Sequence, residues 1–200
     1  MYLGKKVSIV LPVYNEIENV REAIDEFLRH PAVDELIAVD NNSRDGSDAE
    51  IKLTSAKYVK ETAQGYGAAL QRGMREAVGD LIVTVEPDGT FRASDLDRLL
   101  IYSQDYDVVL GTRTSRILVW SGGDPGVNID FFLRMGNWAV AKLLEYLFNG
   151  PSFTDVGCTY KLIHRRAYEK IKNSFTVKGN WFSPEYMIRV LQHKLSVVEI

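Results

Sequence analysis

Leu81-Ile82-Val83-Thr84-Val85-Glu86-Pro87-Asp88-Gly89 is the stretch on which the fold turns. Its first five residues have the length and apolar character of a strand covered on both faces, and the run then stops abruptly in a charged turn. Working outward, the same pattern recurs: residues 7–11, 36–39 and 108–110 read as buried strands, and 58–60 as a short one. Between them the apolar residues shift to helical spacing, at Val20, Ala23, Ile24, Phe27 and Leu28, across 67–78, and at Leu96, Leu99 and Leu100. Asn15 with Glu18, and Ser47 with Glu50, have capping-box spacing, and Ser94 and Asp97 open the helix carrying Leu96. Repeated strand–helix–strand units predict a single α/β domain, a mostly parallel sheet flanked by helices. Ligands of such sheets sit beyond the carboxyl ends of the strands. The polar clusters at 14–16, 40–43 and 86–88 fall at those ends.

The half after Gly111 is patterned differently. Residues 115–130 contain Gly122-Gly123-Asp124-Pro125-Gly126 and read as a mobile loop. Residues 129–148 predict a strongly apolar helix with a narrow polar stripe of Asp130, Arg134, Asn137 and Glu145. Residues 159–163 read as a strand, 166–171 and 184–191 as helices, and 195–200 as a strand stopped in mid-stride, as in a domain cut short at its C-terminus. With 200 residues, 46% hydrophobic and 26% charged, the chain can bury a core. A net charge of -3 gives no general attraction to nucleic acid. The single cysteine, Cys158, rules out an intramolecular disulfide framework and fits a reducing compartment. Lys5 and Lys6 precede an apolar run that Pro12 and Asn15 end too early for a signal peptide. No uninterrupted apolar stretch is long enough to cross a bilayer, so a cytoplasmic chain is expected.

The chemistry concentrates at the strand ends. Glu86 and Asp88, one residue apart in an extended chain, point to the same side, and Pro87 keeps Glu86 extended. Close carboxylates repel unless a cation lies between them, and a hard divalent metal shared with substrate phosphates meets that need. Read alone, Pro87-Asp88-Gly89 is better taken as a plain turn, and its place at the end of a buried strand is what favours the metal reading. Asp40 can accept hydrogen bonds from a base or ribose, or close an Asx turn. Gly65-Tyr66-Gly67-Ala68-Ala69 lacks the third glycine of a dinucleotide fingerprint and fits either close approach to a ligand or a tight helix entry. The three histidines, His30, His164 and His193, are scattered, which argues against zinc. Arg113 and Arg134 suit phosphate, or are surface charges.

Seven segments follow one another along nearly the whole chain: Val7-Ser8-Ile9-Val10-Leu11-Pro12-Val13-Tyr14-Asn15-Glu16, Val39-Asp40-Asn41-Asn42-Ser43-Arg44-Asp45-Gly46-Ser47, the 65–69 glycine motif, Glu86-Pro87-Asp88, Leu110-Gly111-Thr112-Arg113, Arg134-Met135-Gly136-Asn137 and Asp155-Val156-Gly157-Cys158-Thr159-Tyr160-Lys161. In order and spacing they resemble family 2 glycosyltransferases of the GT-A (Rossmann-like) fold, and most the branch that includes dolichol-phosphate mannosyltransferase and polyprenyl-phosphate glycosyltransferases. The resemblance implies that residues 1–200 form a GT-A catalytic domain. It implies a nucleoside pocket lined by Pro12, Tyr14, Glu16 and Asp40 with Gly65 and Gly67, and Mg2+ or Mn2+ on Asp88 with Glu86. Arg113 and Arg134 would face donor or acceptor phosphates, and Asp155 the transferred sugar. Three positions depart from the family pattern: Glu86 stands for the first Asp of D-x-D, Thr90 for a frequent Gln, and Asn41 for the second Asp of Val-Asp-Asp-x-Ser-x-Asp-Gly.

The implied activity is inverting transfer of a hexose from a UDP- or GDP-sugar to a polyprenyl or dolichyl phosphate. An acceptor phosphate is already anionic, whereas a sugar hydroxyl needs a base, for which Asp155 and Glu185 are the candidates. The helix at 129–148, with Trp120 and the 122–126 loop, is expected either to fill the core or to meet the cytosolic face of a membrane, where Trp120 and Trp138 suit the interface. The rival classes are a non-catalytic nucleotide-sugar-binding module and a nucleotidyltransferase. The latter ranks last because Tyr14-Asn15-Glu16-Ile17-Glu18 replaces its phosphate loop.

Overall fold

The computed structural model of the chain describes residues 1–112 and 131–200, the side chains of 131–134 excepted. Strands and helices alternate as β1 (Val7–Val13), α1 (Val20–Leu28), β2 (Glu35–Asp40), α2 (Ser47–Lys52), β3 (Lys57–Lys60), α3 (Tyr66–Glu76), β4 (Leu81–Thr84), α4 (Leu96–Tyr102) and β5 (Val108–Leu110). Then come α5 (Phe131–Phe148), β6 (Lys161–His164), α6 (Arg165–Ile171), α7 (Phe182–Gln192) and β7 (Val197–Glu199). They build one sheet in the order β3-β2-β1-β4-β6-β5-β7. Every pairing is parallel except those of β6, which runs antiparallel to β4 and β5.

Alternating side chains of the central strands feed two cores. Val10, Ile37, Val39, Ile82 and Ile163 pack with α3, α5, α6 and α7. Val7, Ile9, Leu11, Ala38, Val83 and Leu162 pack with α1, α2 and α4 on the other face. This burial on both sides is why the strands read as continuous apolar runs. The winding reverses between β1 and β4, because β2 lies to one side of β1 and β4 to the other. A reversal of this kind opens a crevice at the strand ends. The antiparallel β6 adds to it, since its lead-in at 155–160 arrives at the same end.

Both capping boxes fail, for one reason. Helix α1 starts at Val20, a turn later than Asn15 implies, and Asn15 instead adopts φ +55°. Its side chain accepts the Arg44 N–H at 2.8 Å. Ser47 is the first residue of α2, and its hydroxyl donates to Asp45 at 2.6 Å. The β2–α2 loop has engaged both side chains that capping would have used. The helix expected over 67–78 ends at Glu76, leaving Val78 71% exposed. The loop at 115–130, with Trp120 and the 122–126 glycines, lies outside the described residues.

Candidate functional site

The β1–α1 and β2–α2 loops are stitched together. Asn15 N–H donates to Ser43 Oγ (3.1 Å), Glu16 N–H to Ser47 Oγ (2.8 Å) and Ile17 N–H to Asp45 Oδ2 (3.0 Å). Burial raises the Asp45 carboxyl, but hydrogen bonds from Ser47 and the Ile17 amide outweigh it and hold the pKa below the usual carboxylate value. Tyr14 is 51% exposed and Glu16 half-exposed, whereas Pro12 and Asp40 are buried. Asp40 accepts the Ser43 N–H at 2.9 Å and lies 3.4 Å from the Tyr58 hydroxyl and 3.7 Å from the Lys60 ammonium. Tyr14 and Glu16 are therefore open to a ligand, while Asp40 takes the Asx-turn role and supports the floor. An open cleft of about 440 Å3 lies against Asn15, Glu16, Asn19, Arg44 and Asp45.

Asn41 organises the next wall. It is 3% exposed. Its Nδ2 donates to the carbonyls of Glu61 (3.0 Å) and Ala63 (2.8 Å), and its Oδ1 accepts Gly65 N–H (2.7 Å) and Gln64 Nε2–H (3.3 Å). Gly65 sits at φ +139°, and a Cβ there would lie 2.3 Å from the Lys178 carbonyl oxygen. A Cβ on Gly67 would lie 2.7 Å from the Val177 oxygen and from Phe182 Cβ. The close approach expected of this motif exists, but the chain itself makes it. Gly65 and Gly67 thus receive the 177–179 segment, which is the tight helix entry that the sequence allowed for them. The Lys178 carbonyl also accepts Ala68 N–H at 2.9 Å, covering the start of α3.

Glu86, half-exposed, and Asp88, exposed, follow β4. Asp88 Oδ1 accepts the Thr90 N–H at 3.0 Å across Gly89, whose φ is +75°. The loop is braced beyond that turn. Ala93 N–H donates to Glu26 Oε1 (2.9 Å), and the Phe91 ring meets Tyr160 edge-on at 5.3 Å. Among the described residues no group of three or more His, Cys, Asp or Glu can hold a metal by itself. Two carboxylates fit a hard divalent cation when a diphosphate supplies the remaining oxygens.

Asp155, 2% exposed, accepts Gly157 N–H (2.9 Å) and Asn137 Nδ2–H (3.3 Å) through Oδ1, so α5 helps to fix it. Behind it lies a polar layer that the sequence reading missed. The Tyr66 hydroxyl donates to Thr159 Oγ1 (2.9 Å), and Thr84 Oγ1 donates to the Thr159 carbonyl (2.7 Å). Lys161, 4% exposed, donates to the Cys158 carbonyl and lies 3.4 Å from Ser183 Oγ. Burial above all, then the Glu86 charge, pushes the Tyr66 hydroxyl far up, so it stays a protonated donor. The one available signal was a lysine opening an apolar strand. Arg113 lies outside the described residues, as does the side chain of Arg134.

Glu185, one of the two candidate bases, clamps the 176–177 segment to α7. Its oxygens accept Thr176 N–H (2.9 Å), Thr176 Oγ1–H (2.7 Å), Val177 N–H (2.9 Å) and Arg189 Nη2–H (3.0 Å). Burial raises its pKa, but these donors overcome burial and leave it lowered. A depressed folded-state pKa contributes stability above the unfolded carboxylate value and loses it as pH falls through the folded one. Glu185→Gln should therefore cost about 2 kcal/mol at neutral pH, with the gap to wild type closing in acid. Thermal melts of both proteins across that range test this, and a gap independent of pH would refute it.

The family model for glycosyl transferase family 2 matches residues 8–172. Glycosyltransferase AglJ of Haloferax volcanii is 24% identical over 164 residues, 81% of this chain and 51% of the relative. Undecaprenyl-phosphate 4-deoxy-4-formamido-L-arabinose transferase of Sodalis glossinidius is 32% identical over 172 residues, 80% of this chain and 49% of the relative. The chain thus spans about half the length of these relatives. Among solved structures, glucosyl-3-phosphoglycerate synthase from Mycobacterium tuberculosis, in complex with Mn2+, UDP and glucosyl-3-phosphoglycerate, superposes with a TM-score of 0.73. That match has 18% identity and covers 98% of this chain and 69% of the other, a likeness of fold.

Proposed function

This chain belongs to glycosyl transferase family 2, and on that premise we propose that it moves a hexose, with inversion, from a UDP- or GDP-sugar to a polyprenyl phosphate. The observation that carries the reading is the exposed Asp88 on its braced loop at the winding reversal, facing the same end as Tyr14 and Glu16. Relatives named for an undecaprenyl-phosphate sugar transferase support the acceptor, and a neighbour holding Mn2+ and UDP supports the donor and the metal.

In this reading Tyr14 and Glu16 meet the nucleoside, and Asp88 with Glu86 would hold Mg2+ or Mn2+. When bound, such a cation neutralises charge developing on the departing diphosphate. Asp155, fixed by Gly157 and Asn137, turns its carboxylate toward the transferred sugar. A phosphate acceptor arrives as an anion and attacks in line without a base, a chemistry consistent with Glu185 being fully engaged elsewhere. Arg113 and Arg134 are the cations we assign to the phosphates.

No helix among the described residues is long and apolar enough to cross a membrane. Helix α5 nonetheless exposes Met135, Trp138, Leu143, Tyr146 and Leu147. We assign this face to the cytosolic surface of a bilayer that carries the acceptor. The test is calorimetry with UDP- and GDP-sugars plus Mn2+ or Mg2+, followed by transfer assays with undecaprenyl phosphate in vesicles. Metal-dependent binding of one donor class and an anomerically inverted lipid product are expected. Transfer only to free sugar hydroxyls would overturn the acceptor, and failure to sediment with the vesicles would overturn the membrane face.

A further inference from the structure

Glu199 belongs to none of the motifs above, yet its carboxylate grips the loop that carries Asp155. Thr154 N–H donates to Glu199 Oε2 at 2.6 Å, and the Thr154 hydroxyl donates to Oε1. Thr112 Oγ1 lies 3.0 Å from Thr154 Oγ1. An ionised carboxylate only accepts, so the Thr154 proton is committed to Glu199 and the Thr112 hydroxyl must donate to Thr154. The order of donation is fixed: Thr112 to Thr154 to Glu199. Strand β7 delivers Glu199 by pairing parallel to β5, with Leu110 opposite Glu199. Thr112 N–H then donates to the Ile200 carbonyl at 3.0 Å. The last strand therefore ties the arm that leaves β5 to the loop that enters β6. Asp155 is the next residue after Thr154, and Arg113 the next after Thr112.

We propose that Glu199 is a positioning residue for Asp155, holding the 154–157 turn so that the carboxylate faces the transferred sugar. This rests on the function proposed above for Asp155. The competing account is that Glu199 only pins a three-residue edge strand. The two differ in reach. Charge-assisted bonds to the Thr154 amide and hydroxyl transmit to the Asp155 turn, whereas edge pinning stops at β7.

Glu199→Gln and Thr154→Val separate them, read by hydrogen exchange at the Gly157 amide, which donates to Asp155, together with kcat and donor affinity. Thr154→Val keeps the amide bond to Glu199 and removes the hydroxyl relay, so its effect should be intermediate. In Glu199→Gln, Gly157 exchange should rise at least tenfold and kcat fall at least tenfold, with donor Kd within twofold and Glu199→Asp partly restoring both losses. Faster exchange confined to β7, or unchanged kcat in Glu199→Gln, overturns the proposal. Faster Gly157 exchange in a protein whose wild type transfers no sugar supports the brace and refutes the proposed function instead.

Discussion

Asp88→Asn should lower kcat for sugar transfer by about a thousandfold, because it removes one carboxylate from the proposed two-carboxylate metal site and little else. The turn survives: asparagine Oδ1 can accept the Thr90 N–H that Asp88 Oδ1 now accepts. The side chain is exposed at the tip of its loop, so stability should change by about 0.5 kcal/mol or less. The variant thus separates charge from shape. Calorimetry should show nucleotide binding that no longer responds to Mn2+ or Mg2+, while metal-independent affinity persists through Tyr14 and Glu16. Glu86→Gln should follow the same pattern with a smaller loss, since Glu86 is only half-exposed. Activity of Asp88→Asn within threefold of wild type, at saturating metal, would remove Asp88 from the metal site.

The strands were legible because a sheet covered on both faces leaves no polar alternation; the runs at 36–39 and 81–85 stop within a residue of β2 and β4, whereas β1 continues past the 7–11 run through Pro12 to Val13. The direction of β6 was not legible. Its apolar run looks the same either way, and antiparallel insertion between β4 and β5 is decided by pairing with strands about 50 to 80 residues earlier in the chain. The caps misled because S-x-x-E spacing says nothing about competitors, and the β2–α2 loop competes for Asn15 through the Arg44 amide and for Ser47 through Asp45. The family 2 resemblance read from ordered motifs is borne out by a match over residues 8–172.

For the site, sequence placed the polar clusters at the correct end of the sheet but did not separate groups that face outward from groups that hold the outward ones. Tyr14 and Asp88 face outward; Asp40 and Glu185 are acidic residues whose acceptor capacity the fold uses. That difference depends on which amides arrive beside them, and the amides come from turns with no residue-type signature. Glu199 shows the limit most clearly: its partner Thr154 is 45 residues away and neither belongs to a recognisable pattern.

Asn41→Asp restores the acidic residue usual in the family and should nonetheless destabilise the protein by about 3 kcal/mol. The amide now gives two protons, to the Glu61 and Ala63 carbonyls, at a position 3% exposed. A carboxylate there would set oxygen against oxygen twice and bury a charge. Its stronger bond to Gly65 N–H would return part of that loss. The net effect is a large fraction of a typical domain's stability, and it would fall on the 61–65 segment that leads into α3. Urea denaturation of the variant should therefore show a lower midpoint, with Tyr66 and its bond to Thr159 disturbed first. The pH dependence identifies the cause. Burial would raise the new carboxyl's folded-state pKa, so the variant should regain stability in acid, where the protonated form can again donate once, and lose it as pH rises through that pKa. A variant as stable as wild type at neutral pH would mean that the segment finds other partners. Asn41 would then be a relic of the family motif and not the residue that shapes this wall of the pocket.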